Sequence, residues 1–238
     1  MEIGGGNKLT KETIDKYLIS DAIACEECYS FVNTNLEILI RHIEDGANKT
    51  CSDICSSFNG TTFTECLVVC DAVGAIFFVA ILEEADPDPI YICQMAKLCD
   101  INVNGNASIT SVSSDPPIGA QNTTFWIDVE YEVYNEIGTG TIEYQLYAPG
   151  QGVVTYHYIL LADVKEGMHS SKYNFTTIPN EDNNFLPGLY MVDVFLCDGL
   201  CDSTRPNSKI YDLKRTSFVI SGDIVSGTAS SSGLSLWQ

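Results

Sequence analysis

Residues 51–70 read CSDICSSFNGTTFTECLVVC, which places four cysteines as Cys-x3-Cys, a gap of ten residues, and Cys-x3-Cys. Four thiolates are a ligand set for structural zinc, whereas redox pairs usually have Cys-x2-Cys spacing in an electropositive setting. In a helical hairpin residues four apart share a face, so Cys55 meets Cys66 near the FNGTT turn and Cys51 meets Cys70 one turn further out. We therefore expect two disulfides that hold a helical hairpin together, and no metal ligands.

Cysteines and glycosylation sequons along the whole chain indicate an oxidising compartment. The chain has ten cysteines, an even number, and five Asn-x-Ser/Thr sequons, at Asn48, Asn59, Asn106, Asn122 and Asn174. Glycans and zinc ribbons seldom share a compartment, so the sequons also argue against zinc. The first eighteen residues lack the apolar core of a signal peptide, so a leader is either already removed or absent. We expect a secreted, extracellular glycoprotein, and a lysosomal or vesicular location is the second expectation.

The composition is acidic over the whole length. Twelve basic and 32 acidic residues give a formal net charge of −20, and no basic run of four residues occurs. Phosphate binding needs clustered Lys and Arg, so nucleic acid is excluded as a partner. An anionic lipid surface repels such a chain at neutral pH and repels it less where carboxylates protonate. Any membrane contact should therefore favour acid pH.

The first half of the chain has the pattern of helices, and we expect an N-terminal extension at 1–20 and a helical domain at 21–101. Apolar residues three or four apart predict one long amphipathic helix; they are Ala22, Cys25, Cys28, Val32, Leu36, Leu39, Ile40 and Ile43. The run from Leu67 to Leu82 is the most apolar of the chain. Because it is shorter than the ~20 residues that a bilayer requires, it predicts one buried central helix.

Local signals predict where these helices begin. Thr62 and Glu65 have the spacing of a capping box for the central helix. Pro89, after the sequence DPD, opens a short last helix that we expect to run through Cys99.

After residue 101 the sequence changes to alternating apolar and polar residues, glycines and turns. In TFWIDVEYEVY, at 124–134, the residues Phe125, Ile127 and Val129 alternate with polar ones, which predicts a half-buried strand. Similar runs are TIEYQLYA, VVTYHYILLA, KYNFTTI, GLYMVDVFLC and TSFVIS. Six or seven short strands predict an immunoglobulin-like antiparallel β-sandwich at 102–222, with a barrel as the alternative. The Ser- and Gly-rich tail at 223–238 is expected to be disordered.

Cys25-x2-Cys28 and Cys93-x5-Cys99 bracket the helical domain, and spacing alone leaves three connectivities open for four cysteines. The order of these cysteines, an amphipathic helix, Cys55-x10-Cys66 and the ending ILEEADPDPIYICQMAKLC resembles the saposin B-type domain. This resemblance implies Cys25 with Cys99, Cys28 with Cys93, and Cys55 with Cys66. Cys51 and Cys70 are additions to the usual six, and the hairpin argument pairs them.

No residue pattern indicates an active site. His42, His157 and His169 stand in no metal-binding spacing, and no nucleophile elbow or P-loop occurs. Cys197 and Cys201 flank a Gly turn in CDGLC, which predicts a local disulfide. The sequence therefore predicts a protein that is not an enzyme, with no catalytic residue, no bound metal and no cofactor.

A helical module of saposin type, followed by a sequon-rich β region, resembles the countin family of the social amoebae. The resemblance implies an extracellular signalling or interaction factor that acts in a secreted complex to limit the size of multicellular groups. Its partners would be other secreted proteins or a cell-surface receptor. The alternative is a lipid-binding or membrane-perturbing protein active at acid pH, with these residues facing lipid: Leu36, Leu39, Ile43, Val73, Phe77 and Ile81.

Overall fold

The chain folds into helices followed by two β-sheets, in a computed structural model that describes residues 21–83, 88–179 and 184–222. The extension expected at 1–20 and the tail expected at 223–238 lie outside the described residues. The helical part consists of α1 (Asp21–Glu44), α2 (Cys51–Ile54) with a 3-10 turn (Cys55–Ser57), α3 (Gly60–Val73), α4 (Ala75–Leu82) and α5 (Pro89–Met95).

The long helix α1 buries the stripe that its apolar spacing predicts. Cys25, Cys28, Val32, Leu39 and Ile43 are each 3 % exposed or less. These side chains pack against residues of α3, α4 and α5 in a single core. Burial of this stripe, rather than intrinsic helix propensity, is the main source of stability for such a helix.

The apolar run from Leu67 to Leu82 is two helices, so the prediction of one central helix is wrong. Gly74 has a φ of +87° and donates its N–H to the Cys70 carbonyl at 2.7 Å. Such a conformation suits glycine, which has no Cβ, and α3 and α4 diverge there by 100°. Among the described helices none alone is long and apolar enough to cross a membrane; α3 and α4 reach that length and composition only when combined.

The helix starts are partly as expected. The capping box at Thr62 and Glu65 does not form, because the chain turns at Gly60, where φ is +63°, and α3 begins there with Asn59 at its N-cap. Pro89 does open α5, but this helix ends at Met95 rather than at Cys99.

Within the described residues, the β part contains eight strands in two sheets. One sheet has the order β1-β3-β6 and the other β2-β8-β7-β4-β5, and all pairs are antiparallel except β2 with β8. The strands are β1 (Asn106–Asp115), β2 (Ile118–Gly119), β3 (Thr124–Asn135), β4 (Gly140–Tyr147), β5 (Val153–Leu161), β6 (Gly167–Thr176), β7 (Gly188–Asp198) and β8 (Lys209–Ile220).

The two sheets pack face to face around a shared core. Phe125 of β3 lies 4.1 Å, between ring centroids, from Phe218 of β8 in the opposite sheet. The alternation in β3 places Phe125, Ile127 and Val129 inside, each 1 % exposed or less. The sequence analysis missed β1, because its serines and threonines give only a weak apolar alternation, and it also missed the two-residue strand β2.

Five disulfides join all ten cysteines. The pairs are Cys25–Cys99, Cys28–Cys93, Cys51–Cys70, Cys55–Cys66 and Cys197–Cys201. The first four lie in the helical part and have the same partners as the resemblance and the hairpin argument implied. With no free thiol, the cysteines are a structural framework, which fits an extracellular protein.

The helical and β parts contact each other beside the segment that links them. Thr139 donates its N–H to the Asp100 carbonyl at 2.9 Å. Its hydroxyl lies 3.5 Å from the Cys25 sulfur, which has no proton to donate in a disulfide. Asn102 donates to the Glu136 carbonyl at 2.7 Å, and the Arg205 guanidinium lies 5.6 Å from the Tyr91 ring centroid.

Candidate interaction surfaces

The five sequon asparagines are all exposed in the folded chain. Asn48 follows α1 and Asn59 precedes α3, so two sequons lie at one end of the helical part. Asn106 begins β1, Asn122 occupies the turn before β3, and Asn174 lies on β6. All three β-part sequons therefore belong to the three-stranded sheet or its turn, and the five-stranded sheet carries none.

A groove between α1 and α3 has an apolar floor and an acidic rim. Phe31 and Val69 line its enclosed end, which has a volume of about 30 Å³. Its open end is about 500 Å³ and is bordered by Glu26, Glu27 and Glu65. A surface of this chemistry suits a partner with basic and apolar groups rather than an anion.

The six residues predicted to face lipid do not form one surface. Leu39, Ile43 and Ile81 are buried in the core of the helical part, at 0 %, 3 % and 4 % exposure. Leu36 and Val73 are half-buried against the same core. Phe77 is exposed, at 57 %, because the bend at Gly74 turns α4 so that Phe77 and its neighbour Ile76 point away from the core.

A cleft of about 170 Å³ lies between the two parts of the chain. Tyr29 and Asn33 of α1 form one wall, and Tyr158 of β5 with Leu200 and Asp202 forms the other. Asp88 also reaches this cleft while its carboxylate caps α5 by accepting from the N–H groups of residues 90 and 91. Burial, with nearby carboxylates, raises the pKa of the Tyr158 hydroxyl to about 12.

Three carboxylates of the β part are buried: Asp193, which pairs with Arg215, and the two acids Asp198 and Glu143. Asp198, at the end of β7, is 2 % exposed, and Glu143 of β4 is 1 % exposed. Burial raises the pKa of Asp198 to about 6, against the opposing effects of Tyr211 and Lys209. Burial likewise raises the pKa of Glu143, with Asp202 adding to the shift and a hydrogen bond from Gln145 opposing it.

Sequence reasoning missed these two acids. Glu143 lies between the core residues Ile142 and Tyr144 on β4, so local alternation gives no sign that its carboxylate is buried. Its burial comes from neighbouring strands and loops, which no local pattern encodes.

Within the described part of the chain, the three histidines have different neighbours and share no contact residue. His42 lies 3.1 Å from the Ser56 hydroxyl, His157 stacks on Tyr173, and His169 contacts the Lys165 carbonyl at 2.7 Å. Among the described residues, no group of three His, Cys, Asp or Glu side chains has the arrangement of a metal site.

These features define the class of protein: a helical domain held by four disulfides is joined to a domain of two packed β-sheets. Family models describe both parts: the countin N-terminal domain matches residues 19–97, and the countin C-terminal domain matches residues 107–225. The chain belongs to the countin family.

Two curated relatives are similar to most of the chain, whereas the solved structure is only a distant match. Countin-1 of Dictyostelium discoideum is 33 % identical over 91 % of this chain and 86 % of its own length. Countin-3 of the same organism is 32 % identical over 85 % of this chain and 92 % of its own length. A solved alkylpurine DNA glycosylase of Pseudomonas fluorescens shares 10 % identity over 72 % of this chain and 52 % of its own, with a TM-score of 0.43, which carries no functional argument.

Proposed function

We propose that this protein is a secreted glycoprotein that acts in an extracellular protein complex to limit the size of multicellular groups. The observation that carries the proposal is that both halves of the chain match the countin family. Over 91 % of its length, this chain is 33 % identical to Countin-1. Five disulfides and five exposed sequons support an extracellular location. The protein works by binding other proteins and not by catalysis.

The finer assignment of each part belongs to the same proposal. The helical domain at 21–101 is of saposin B type. This assignment is supported by the disulfides that join its first cysteine, Cys25, to its last, Cys99, and its second, Cys28, to its next-to-last, Cys93. The domain at 102–222 is an immunoglobulin-like sandwich, which is supported by sheets in the orders β1-β3-β6 and β2-β8-β7-β4-β5. Glycans at the five sequons are expected to cover the three-stranded sheet and one end of the helices.

Lipid binding is not favoured as the main function. Three of the six candidate residues lie in the core of the helical part, and two disulfides, Cys28–Cys93 and Cys51–Cys70, tie its helices together. Exposure of those residues to lipid would require this core to open. Vesicles of neutral and anionic lipid at pH 4.5 and pH 7 test the point, and we expect no binding at either pH.

Group size in the organism that encodes the chain tests the proposal. We expect deletion of the coding sequence to give larger groups and added purified, glycosylated protein to restore the normal size. The matched control is the same protein after reduction and alkylation, which lacks the disulfide framework and should be inactive. Groups of unchanged size in the deletion strain would overturn the proposed function.

A further inference from the structure

We propose that the edge strand β5 pairs with β5 of a second copy of this chain, so that two five-stranded sheets join into one continuous sheet in a symmetric dimer. The inference rests on the edges of the two sheets and does not depend on the proposed function. The topology of the described sheets leaves four strand edges unpaired.

An unpaired sheet edge presents a row of backbone N–H and C=O groups that can pair with another strand. Proteins protect such edges with charged side chains, prolines, bulges, very short strands or covering segments. In the five-stranded sheet the edges are β2 and β5, and in the three-stranded sheet they are β1 and β6.

Three of these edges are protected. Strand β2 is only two residues long and follows Pro116 and Pro117. Strand β6 carries Lys172, so a charged side chain stands on that strand, and Asn174 of the same strand is a glycosylation sequon. Both features oppose the approach of another chain.

Side chains of β8 close the edge of β1. The N–H of Ile109 donates to the Asp212 carboxylate at 2.9 Å. The Lys214 ammonium donates to the Thr110 carbonyl at 2.9 Å, and Lys209 donates to the carbonyl of Gly105, just before β1, at the same distance. The backbone groups that another strand would use on β1 are therefore partly occupied.

Over residues 155–161, strand β5 has none of these protections. Its sequence VVTYHYILL contains no Lys, Arg, Asp, Glu or Pro and no sequon, although the chain carries a net charge of −20. The strand pairs with β4 alone, and no backbone of another described segment hydrogen-bonds to its outer edge. A register shift against Leu146 and Tyr147 disturbs its start and leaves the regular run at 155–161.

The chemistry of this edge selects a second copy as the occupant. Antiparallel pairing about a two-fold axis lets one strand supply both donors and acceptors to its own copy. Because β5 is uncharged, its pairing with β5 of a second copy brings no like charges together at the centre of the contact, although both chains are strongly acidic. Tyr156, whose side chain is 54 % exposed, would lie on the open face of the joined sheet.

Sedimentation of the full, glycosylated chain from about 1 to 100 µM tests the proposal. We expect a reversible monomer–dimer equilibrium with a dissociation constant in the micromolar range, and amide hydrogens at 155–161 that exchange more slowly as the concentration rises. Tyr156→Lys adds a charge to the paired edge strand of each copy and should weaken the dimer at least tenfold. Met168→Lys, at a 59 % exposed position on edge strand β6, is the matched control and should leave the dimer unchanged.

A separate variant guards against misfolding of the charged one. All ten cysteines are paired, so Tyr156→Cys adds the one free thiol of the β5 edge, and a bifunctional maleimide should link two such chains but not two Met168→Cys chains. A monomer at every concentration overturns the proposal. So does a dimer that Tyr156→Lys leaves intact, or a chain that pairs through β5 only with a different protein.

Discussion

The Tyr211 hydroxyl donates a hydrogen bond to one oxygen of the Asp198 carboxylate at 2.9 Å, while the other oxygen, Oδ1, has no hydrogen-bond partner among the described residues. Asp198 is buried beside the segment that links the helical and β parts, close to Gly138 and Asn102. Burial of this carboxylate away from water disfavours its charged form more than Tyr211, Lys209 and the backbone of Gly199 favour it, so the pKa of Asp198 is raised to about 6.

Asp198→Asn should therefore change how stability depends on pH. The pKa of Asp198 is higher in the folded chain than its ordinary value of 3.8, so its ionisation opposes folding as the pH rises from about 4 through 6. The variant lacks this penalty, and at pH 7 it should gain on the order of 2 kcal/mol relative to wild type compared with pH 4. Urea unfolding at the two pH values measures this difference. Equal pH dependence in wild type and variant would contradict it, and Asp45→Asn, on the exposed loop after α1, is the control.

His157 should change the pH dependence of stability in the opposite direction to Asp198, with stability lost as the pH falls. Its ring stacks on Tyr173 with centroids 4.0 Å apart, and burial lowers the pKa of the imidazole. A base with a lowered folded pKa contributes stability above pH 6.5 that is lost as the pH falls through the folded value. His157→Phe keeps the ring and removes the proton site, so it should lose less stability than wild type between pH 7 and pH 5. Thermal unfolding at the two pH values tests this, with His169→Phe as the control for an aromatic replacement outside the His157–Tyr173 stack.

The disulfides should differ in worth because they close loops of different length. Cys51 and Cys70 are 19 residues apart, whereas Cys197 and Cys201 are 4 apart. In the chain-entropy model the double variant Cys51→Ala/Cys70→Ala should lose about 3 kcal/mol of unfolding free energy. The matched variant Cys197→Ala/Cys201→Ala should lose clearly less. Guanidinium unfolding midpoints report both values, and a larger loss for the second variant would refute the ranking.

Asp88 should matter as a helix cap. Its carboxylate accepts from the N–H of Ile90 at 2.8 Å and from that of Tyr91 at 3.0 Å, and Pro89 occupies the first turn of α5. Asp88→Ala removes the single oxygen, Oδ1, that accepts from both N–H groups and should cost about 1 kcal/mol, whereas Asp88→Asn keeps an acceptor oxygen and should cost less. Chemical unfolding of the two variants separates a lost cap from a general surface effect, because the latter would affect both equally.

The sequence predicted the order of helices and strands well because both follow from local periodicity. The stripe on α1 and the alternation in β3 are short-range patterns, and burial in the structure follows them. The disulfide partners came from a hairpin argument and a family resemblance, since spacing alone left several pairings open.

The features that sequence reasoning missed depend on contacts between distant segments. The bend at Gly74 requires a positive φ, which the composition of the segment does not predict. This bend exposes Phe77. Strand β1 is held by β3 and by side chains of β8 rather than by its own pattern. Burial of Asp198 arises beside the linking segment, and burial of Glu143 arises among strands and loops distant in sequence, so the raised pKa values were not predictable.

The size and location of the native assembly test the central claim most directly. A tagged copy of the chain, expressed at its natural level, would be followed in cell-free medium by size-exclusion chromatography. We predict that it leaves the cell, carries N-linked glycans, and elutes in an assembly larger than a dimer of the 26.1 kDa chain. Retention inside the cells, or elution from the medium only as a monomer or dimer, would contradict an extracellular complex of the countin family.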